Sequence, residues 1–252
     1  LPFTGRVYVM IARRERPEPR FGPNWFSPDP FFARDVQSWR PGDGIVVDNK
    51  ALGYPGPLAM LPKGTYSIQA VMDFGRQRDF SDAEGNGFSN VVRIELDPDA
   101  TGPVELKIDQ VVPPHPFRET ERVKLVDIES PLVSNFYCRP IHLRAGVILP
   151  ASFQDKPEKR YPVIYDIPGF SGNHFVALSQ ARSGVTDVAG EEMLYVVLDP
   201  DCPLGHHVFA DSDNNGPYGQ ALVEELIPHI EQKFRGIGKS SARFVTGHSS
   251  GG

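Results

Sequence analysis

Arg243-Phe244-Val245-Thr246-Gly247-His248-Ser249-Ser250-Gly251-Gly252 is the stretch around which the chain is organised. Its second half fits G-x-S-x-G. The apolar Phe244-Val245-Thr246 reads as a short strand running into it. In a nucleophile elbow the serine sits on a sharp strand-to-helix turn with strained backbone angles. The positions two before and two after must be small, because a larger side chain would strike the adjoining strand and turn. That is the reading of Gly247 and Gly251 as elbow support. Ser249 is then the candidate nucleophile. The Ser250 N–H, at the start of the following turn, is a candidate oxyanion donor.

Working outward, the region from 121 onward alternates two kinds of segment. Arg122–Ile128 and Ile141–Leu149 read as strands. In the second, Ile141, Leu143, Ala145, Val147 and Leu149 share one face and His142 and Arg144 the other. Pro162–Ile167, Leu194–Leu198 and Phe244–Thr246 are short and mostly apolar, as strands covered on both faces are. Between the last two lies the clearest helical period, Pro217–Arg235, with Leu222, Leu226, Ile230 and Phe234 four residues apart. Pro228 lies inside that pattern and should kink it, since it has no N–H for the carbonyl four residues back. A weaker helix is expected from about His174 to Val188. Strand, helix, strand, helix, strand is the rhythm of an α/β sheet.

Taken as a set, three segments carry a resemblance: Arg160–Tyr165 running to Gly169-Phe170, Val223–Glu231, and Gly247–Gly252. The region 121–252 resembles the putative-esterase family of α/β-hydrolases, which includes enterochelin, feruloyl and esterase D-like enzymes. The resemblance implies a serine carboxylic-ester hydrolase. It maps one oxyanion donor onto Phe170, after Gly169, with Ser250 as the second. Many relatives have His before that glycine, where this chain has Pro168. The family places its acid and its histidine after the serine. All seven histidines here precede Ser249, so both are expected beyond residue 252. The sequence begins at Leu1 rather than Met and stops three residues after Ser249, so it reads as a fragment or a processed piece of something longer, inactive by itself.

The loop after Leu198 lies on the carboxyl edge of the expected sheet, where open α/β sheets bind ligands. His207, Asp211 and Asn215 are therefore candidates to line a substrate pocket. Asp211–Gly216 begins like a calcium loop, but Leu222 stands at the twelfth position, where a bidentate Glu is required. Asx turns and helix capping fit it better. No metal, cofactor, P-loop or dinucleotide fingerprint is indicated.

Residues 1–120 read differently. Gly5–Ala12, Thr65–Met72, Val91–Leu96 and Val104–Asp109 alternate apolar with polar, separated by Gly, Pro and Asp clusters. This pattern predicts a β-sandwich, and Leu61–Ala70 resembles the late strands of immunoglobulin-like accessory modules. Arg13–Asp29 reads as loop. Phe31, Phe32 and Trp39 are candidates for a carbohydrate platform, against the commoner role of core aromatics. Val111–Pro116 is extended and fits a linker. The expected architecture is thus a β-sandwich over 1–120, then the first part of an α/β-hydrolase domain over 121–252.

Composition narrows the partners. A net charge of −6 argues against nucleic acid, which selects basic surfaces. No apolar run approaches the roughly 20 residues of a membrane span. Cys138 and Cys202 make no disulfide framework and are expected to be buried thiols. The implied partner is a small-molecule or polysaccharide-linked ester, and family habit suggests a secreted or periplasmic address. Two other readings stay open: an S9-like serine peptidase, and a binding protein of hydrolase ancestry without turnover.

Overall fold

The computed structural model describes residues 2–24, 26–75, 80–202 and 204–252. The chain divides into two compact units, Leu1–His115 and Pro116–Gly252. Among the described residues no helix is long and apolar enough to cross a membrane.

The first unit contains β1 (Phe3–Ala12), β2 (Phe31–Trp39), β3 (Leu52–Tyr54), β4 (Gly64–Asp73), β5 (Gly87–Ser89), β6 (Val92–Leu96) and β7 (Ile108–Val111). Two separately bonded sheets were expected. Instead all seven strands join one antiparallel sheet, ordered β3-β2-β1-β4-β5-β7. The reason lies in the ten-residue β4. It pairs with β1 along one edge, while β6 and then β5 share the other. Val104–Lys107, although alternating, forms no strand.

On one face Ile11, Phe32, Tyr66, Ile68 and Leu96 pack together with Leu61. Phe32 is fully buried there, and Phe31 stacks on Tyr54 at 5.7 Å, so the three aromatics do not form an exposed platform. The described residues of Arg13–Asp29 are irregular apart from a short turn at Pro19–Phe21, but the segment is anchored. The buried Gln69 side chain donates to Glu18 and to the Ser89 carbonyl, and accepts from the Arg20 N–H. A buried amide with these partners is satisfied, which makes the burial tolerable.

The second unit is built on β8 (Val123–Glu129), β9 (His142–Ile148), β10 (Val163–Ile167), β13 (Leu194–Leu198) and β16 (Arg243–Gly247), in the order β16-β10-β13-β9-β8. Strand β10 runs parallel to both β13 and β16, while β9 is antiparallel to its two neighbours. Helices cover both faces. On one, Leu143, Ala145, Val147 and Tyr165 pack against Leu226 and Ile230. On the other, Ile148 and Val197 pack against Ala177 of α2 (Val176–Gln180). This two-sided burial is why β10 and β13 lack a clean polar alternation.

The remaining elements depart from expectation for local reasons. The helix expected over 174–188 is only α2, which ends at Gln180; turns follow through Gly184, at a left-handed φ of 69°, into a small hairpin, β11 (Asp187–Val188) with β12 (Glu191–Glu192). A second hairpin joins β14 (Asp201–Cys202) to β15 (Gly205–His206). The helix α1 (Pro131–Tyr137) was not anticipated, although Ser130 caps it at Val133 N–H and Pro131 occupies its first turn. Cys138 ends α1 in a left-handed conformation and is exposed, contrary to the buried reading. Cys202 is buried, and both thiols are free.

The long helix is three pieces: α3 (Tyr218–Ala221), a π-helical turn over Leu222–Leu226, and α4 (Ile227–Lys233). The wider turn immediately precedes Pro228. That is where the ring would otherwise press on a carbonyl and leave it without a donor. The expected kink thus takes the form of a π-turn. Its Glu225 reaches α1 and accepts the Leu132 N–H at 3.0 Å.

Candidate active site

Ser249 leaves the end of β16 with a φ of 56°, in the left-handed region that disfavours any residue bearing a Cβ. It opens a single 3-10 turn, Ser249–Gly251, and its side chain is exposed. The glycines on either side are needed for contact reasons. A Cβ on Gly247 would run into the Gly251 carbonyl, and one on Gly251 into the Ile167 carbonyl of β10. The turn folds so tightly over the strand ends that backbone meets backbone.

The β10–β16 register places Ile167 opposite Gly247. Since the two strands are parallel, Pro168-Gly169-Phe170 and His248-Ser249-Ser250 emerge side by side. Gly169 lies directly against the elbow: a Cβ there would be 3.0 Å from the His248 carbonyl and 3.1 Å from Ser249 Cβ. The loop after β10 is held by two histidines. His206 Nε2 donates to the Pro168 carbonyl at 2.9 Å, and its Nδ1 is buried without a partner. His174 Nδ1 meets Asp199 Oδ2, at the end of β13, at 2.8 Å, with both side chains largely buried. Phe170 is exposed, its ring centroid 6.2 Å from that of His206.

The three expected pocket residues have local hydrogen-bond roles. His207 is buried and stacks on Tyr218 with ring centroids 3.6 Å apart. Its Nδ1 accepts the Phe209 N–H at 3.0 Å, and burial pushes its pKa down to about 3. It is a neutral ring at ordinary pH. Asp211 Oδ1 accepts the N–H groups of Gly219 and Gln220 at 2.7 and 3.0 Å, capping α3. Asn215 Oδ1 lies 3.6 Å from the Cys202 thiol. None of these contacts involves Ser249. Among the described residues no group of His, Cys, Asp and Glu is arranged to hold a metal ion.

Sequence reading passed over two features of this edge. The His174–Asp199 pair had only the Asp-Pro at the end of a strand as a signal. Asp166, on β10, is the other. Burial raises its pKa, partly offset by hydrogen bonds from Gln180 and Tyr195. The same contact and burial push the Tyr195 hydroxyl up to about 12. A carboxylate within a buried apolar strand has no periodic signature of its own.

No protein-family model and no curated protein matches the chain. Solved structures do match part of it. A ferulic acid esterase aligns at 24% identity with a TM-score of 0.35, covering 50% of each chain. The fluorophosphonate-binding serine hydrolase F of Staphylococcus aureus aligns at 20% with a TM-score of 0.40, covering 51% of this chain and 48% of its own. An S-formylglutathione hydrolase from Agrobacterium tumefaciens aligns at 16% with a TM-score of 0.38, covering 52% and 50%. The chain spans about half the length of these structures.

Proposed function

We propose that this chain carries the nucleophile and oxyanion elements of a serine carboxylic-ester hydrolase. The observation that supports it most directly is Ser249 at a φ of 56° between glycines whose neighbours leave no room for a Cβ. Strained backbone of this kind on an exposed serine is a recognised mark of a functional turn.

In this reading the Ser249 hydroxyl attacks the ester carbonyl, and the oxyanion that forms accepts hydrogen bonds from the Phe170 and Ser250 N–H groups. The first N–H groups of a helical turn have no partner within it, which suits Ser250 to that role. The tetrahedral adduct expels the alcohol and leaves an acyl-enzyme, which water then hydrolyses. The hydroxyl needs a general base oriented by a carboxylate to take its proton. Gly169 lets the oxyanion loop lie against the elbow, and the His206–Pro168 hydrogen bond fixes that loop. The substrate is a small-molecule or polysaccharide-linked ester. Residues 1–115 form an accessory β module, and a secreted or periplasmic address goes with this arrangement.

The test is labelling of the full-length protein by a fluorophosphonate, with hydrolysis of short-chain aryl esters measured beside it. Labelling that disappears in Ser249→Ala, with turnover falling by orders of magnitude, is the expected result. Equal labelling of the Ser249→Ala variant would overturn the proposal. Residues 1–252 alone are expected to show no meaningful turnover.

A further inference from the structure

The sheet face of the first unit that carries its core is not filled along its whole length. Ile11, Tyr66, Ile68 and Leu96 close one end. Toward the other, a cavity of about 500 Å³ opens beside Val7, Val9 and Ala70. Val9 and Ala70 are paired across β1 and β4, so the smallest core side chain of β4 faces a Val rather than a bulky partner. Phe32 and Trp39 of β2 complete the aromatic part of the wall.

The opposite wall is Val104, Leu106 and Ile108. This segment alternates: those three side chains are half-buried, while Glu105, Lys107 and Asp109 are exposed. Residues 102–107 form no strand, so this wall is laid over the cavity without a ladder to clamp it. The polar groups at the rim already have partners. Asp48 accepts the Lys50 N–H at 2.9 Å and Asn49 the Ala59 N–H at 2.7 Å. Thr101 Oγ1 accepts the Asp97 N–H at 2.7 Å, and Asp97 pairs with Lys63 at 3.0 Å.

We infer that this cavity is a binding site for an uncharged apolar small molecule, the size of a medium-length alkyl chain or a fused aryl pair. The volume lies within the range of small-molecule pockets, and such pockets are mostly apolar. Apolar walls do not hold water well. Asp97 is paired with Lys63, so the rim carboxylate left to disfavour an anionic head group is Asp48, which makes an uncharged ligand preferred over a free fatty acid.

The experiment is a fluorescence titration of the chain with N-phenyl-1-naphthylamine, an uncharged apolar probe. Saturable binding at one site is expected, displaced by 1-decanol far more readily than by decanoate. Val104→Trp and Leu106→Trp project into the cavity and should weaken binding by about tenfold or more. Glu105→Trp and Lys107→Trp, on the outer side of the same segment, should leave it unchanged, as should Ser249→Ala. If an inward variant lowers the melting temperature, Ala70→Leu on β4 obstructs the cavity independently and should weaken binding in the same way. Absence of saturable binding, equal loss from inward and outward variants, or preference for decanoate over decanol would each overturn the inference.

Discussion

Arg243 donates from Nε and Nη2 to the two carboxylate oxygens of Glu231, each at 2.7 Å, so α4 and the first residue of β16 are joined by a two-point contact. Glu231 is 5% exposed. Removing its charge leaves a guanidinium facing a poor acceptor in a partly buried place. We expect Glu231→Gln to lower stability by about 2–3 kcal/mol in urea melts. A change below about 0.5 kcal/mol would mean that solvent screens the pair as it does at a surface.

Ser249 pays for its position in backbone strain. A residue with a Cβ in the left-handed region is disfavoured by roughly 1–2 kcal/mol relative to glycine. Ser249→Gly should therefore be more stable than Ser249→Ala by about 1 kcal/mol, measured by thermal unfolding of the two variants. Equal stabilities would show that the turn relaxes once the hydroxyl is gone.

Gly169 allows the loop after β10 to touch the turn at Ser249. An added methyl would stand 3.0 Å from the His248 carbonyl and must push it by a few tenths of an ångström. If Ser249 reacts as proposed, Gly169→Ala should slow fluorophosphonate labelling of the full-length protein by about tenfold with little change in melting temperature. Labelling at the wild-type rate would separate the loop from the reaction.

His207 makes stability depend on pH in a definite direction. Its folded pKa, about 3, lies below the ordinary value of 6.5. The unfolded chain therefore binds a proton that the folded chain refuses. The associated stability is complete above about pH 6.5 and is lost as pH falls, at about 1.4 kcal/mol per unit. Glu192, held down to about 2 by Ser152 and Lys159, keeps its full contribution above about pH 4.5 and begins to lose it only below that value. Between pH 6.5 and 4.5 the slope should thus be shallower in His207→Gln, which keeps an acceptor for the Phe209 N–H. Thermal melts across that window decide it.

Much of the second unit was legible because its strands are short apolar runs and its long helix repeats every four residues. Val163–Ile167, Leu194–Leu198 and the strand before Ser249 lie where the pattern put them. Pro228 announced an irregularity, and the π-turn is its form. The helix expected after His174 was overextended, since α2 stops at Gln180 and gives way to turns, and α1 was missed because seven residues are too few for a period to show. In the first unit, alternation identified strands but not their partners. A ten-residue β4 with both edges in use produced one sheet where two were expected.

The sequence by itself determined the strand–turn–glycine pattern around Ser249, since those glycines answer steric demands that act within a few residues. Only the tertiary structure decided that Gly169 would meet that turn, that His206 and His174 would hold the neighbouring loop, that His207 would stack on Tyr218, that Asp211 would cap α3, and that Asn215 would face the Cys202 thiol. Such roles depend on which strand lies beside which. Pairing between segments distant in sequence is set by burial of whole faces, and no local pattern encodes it.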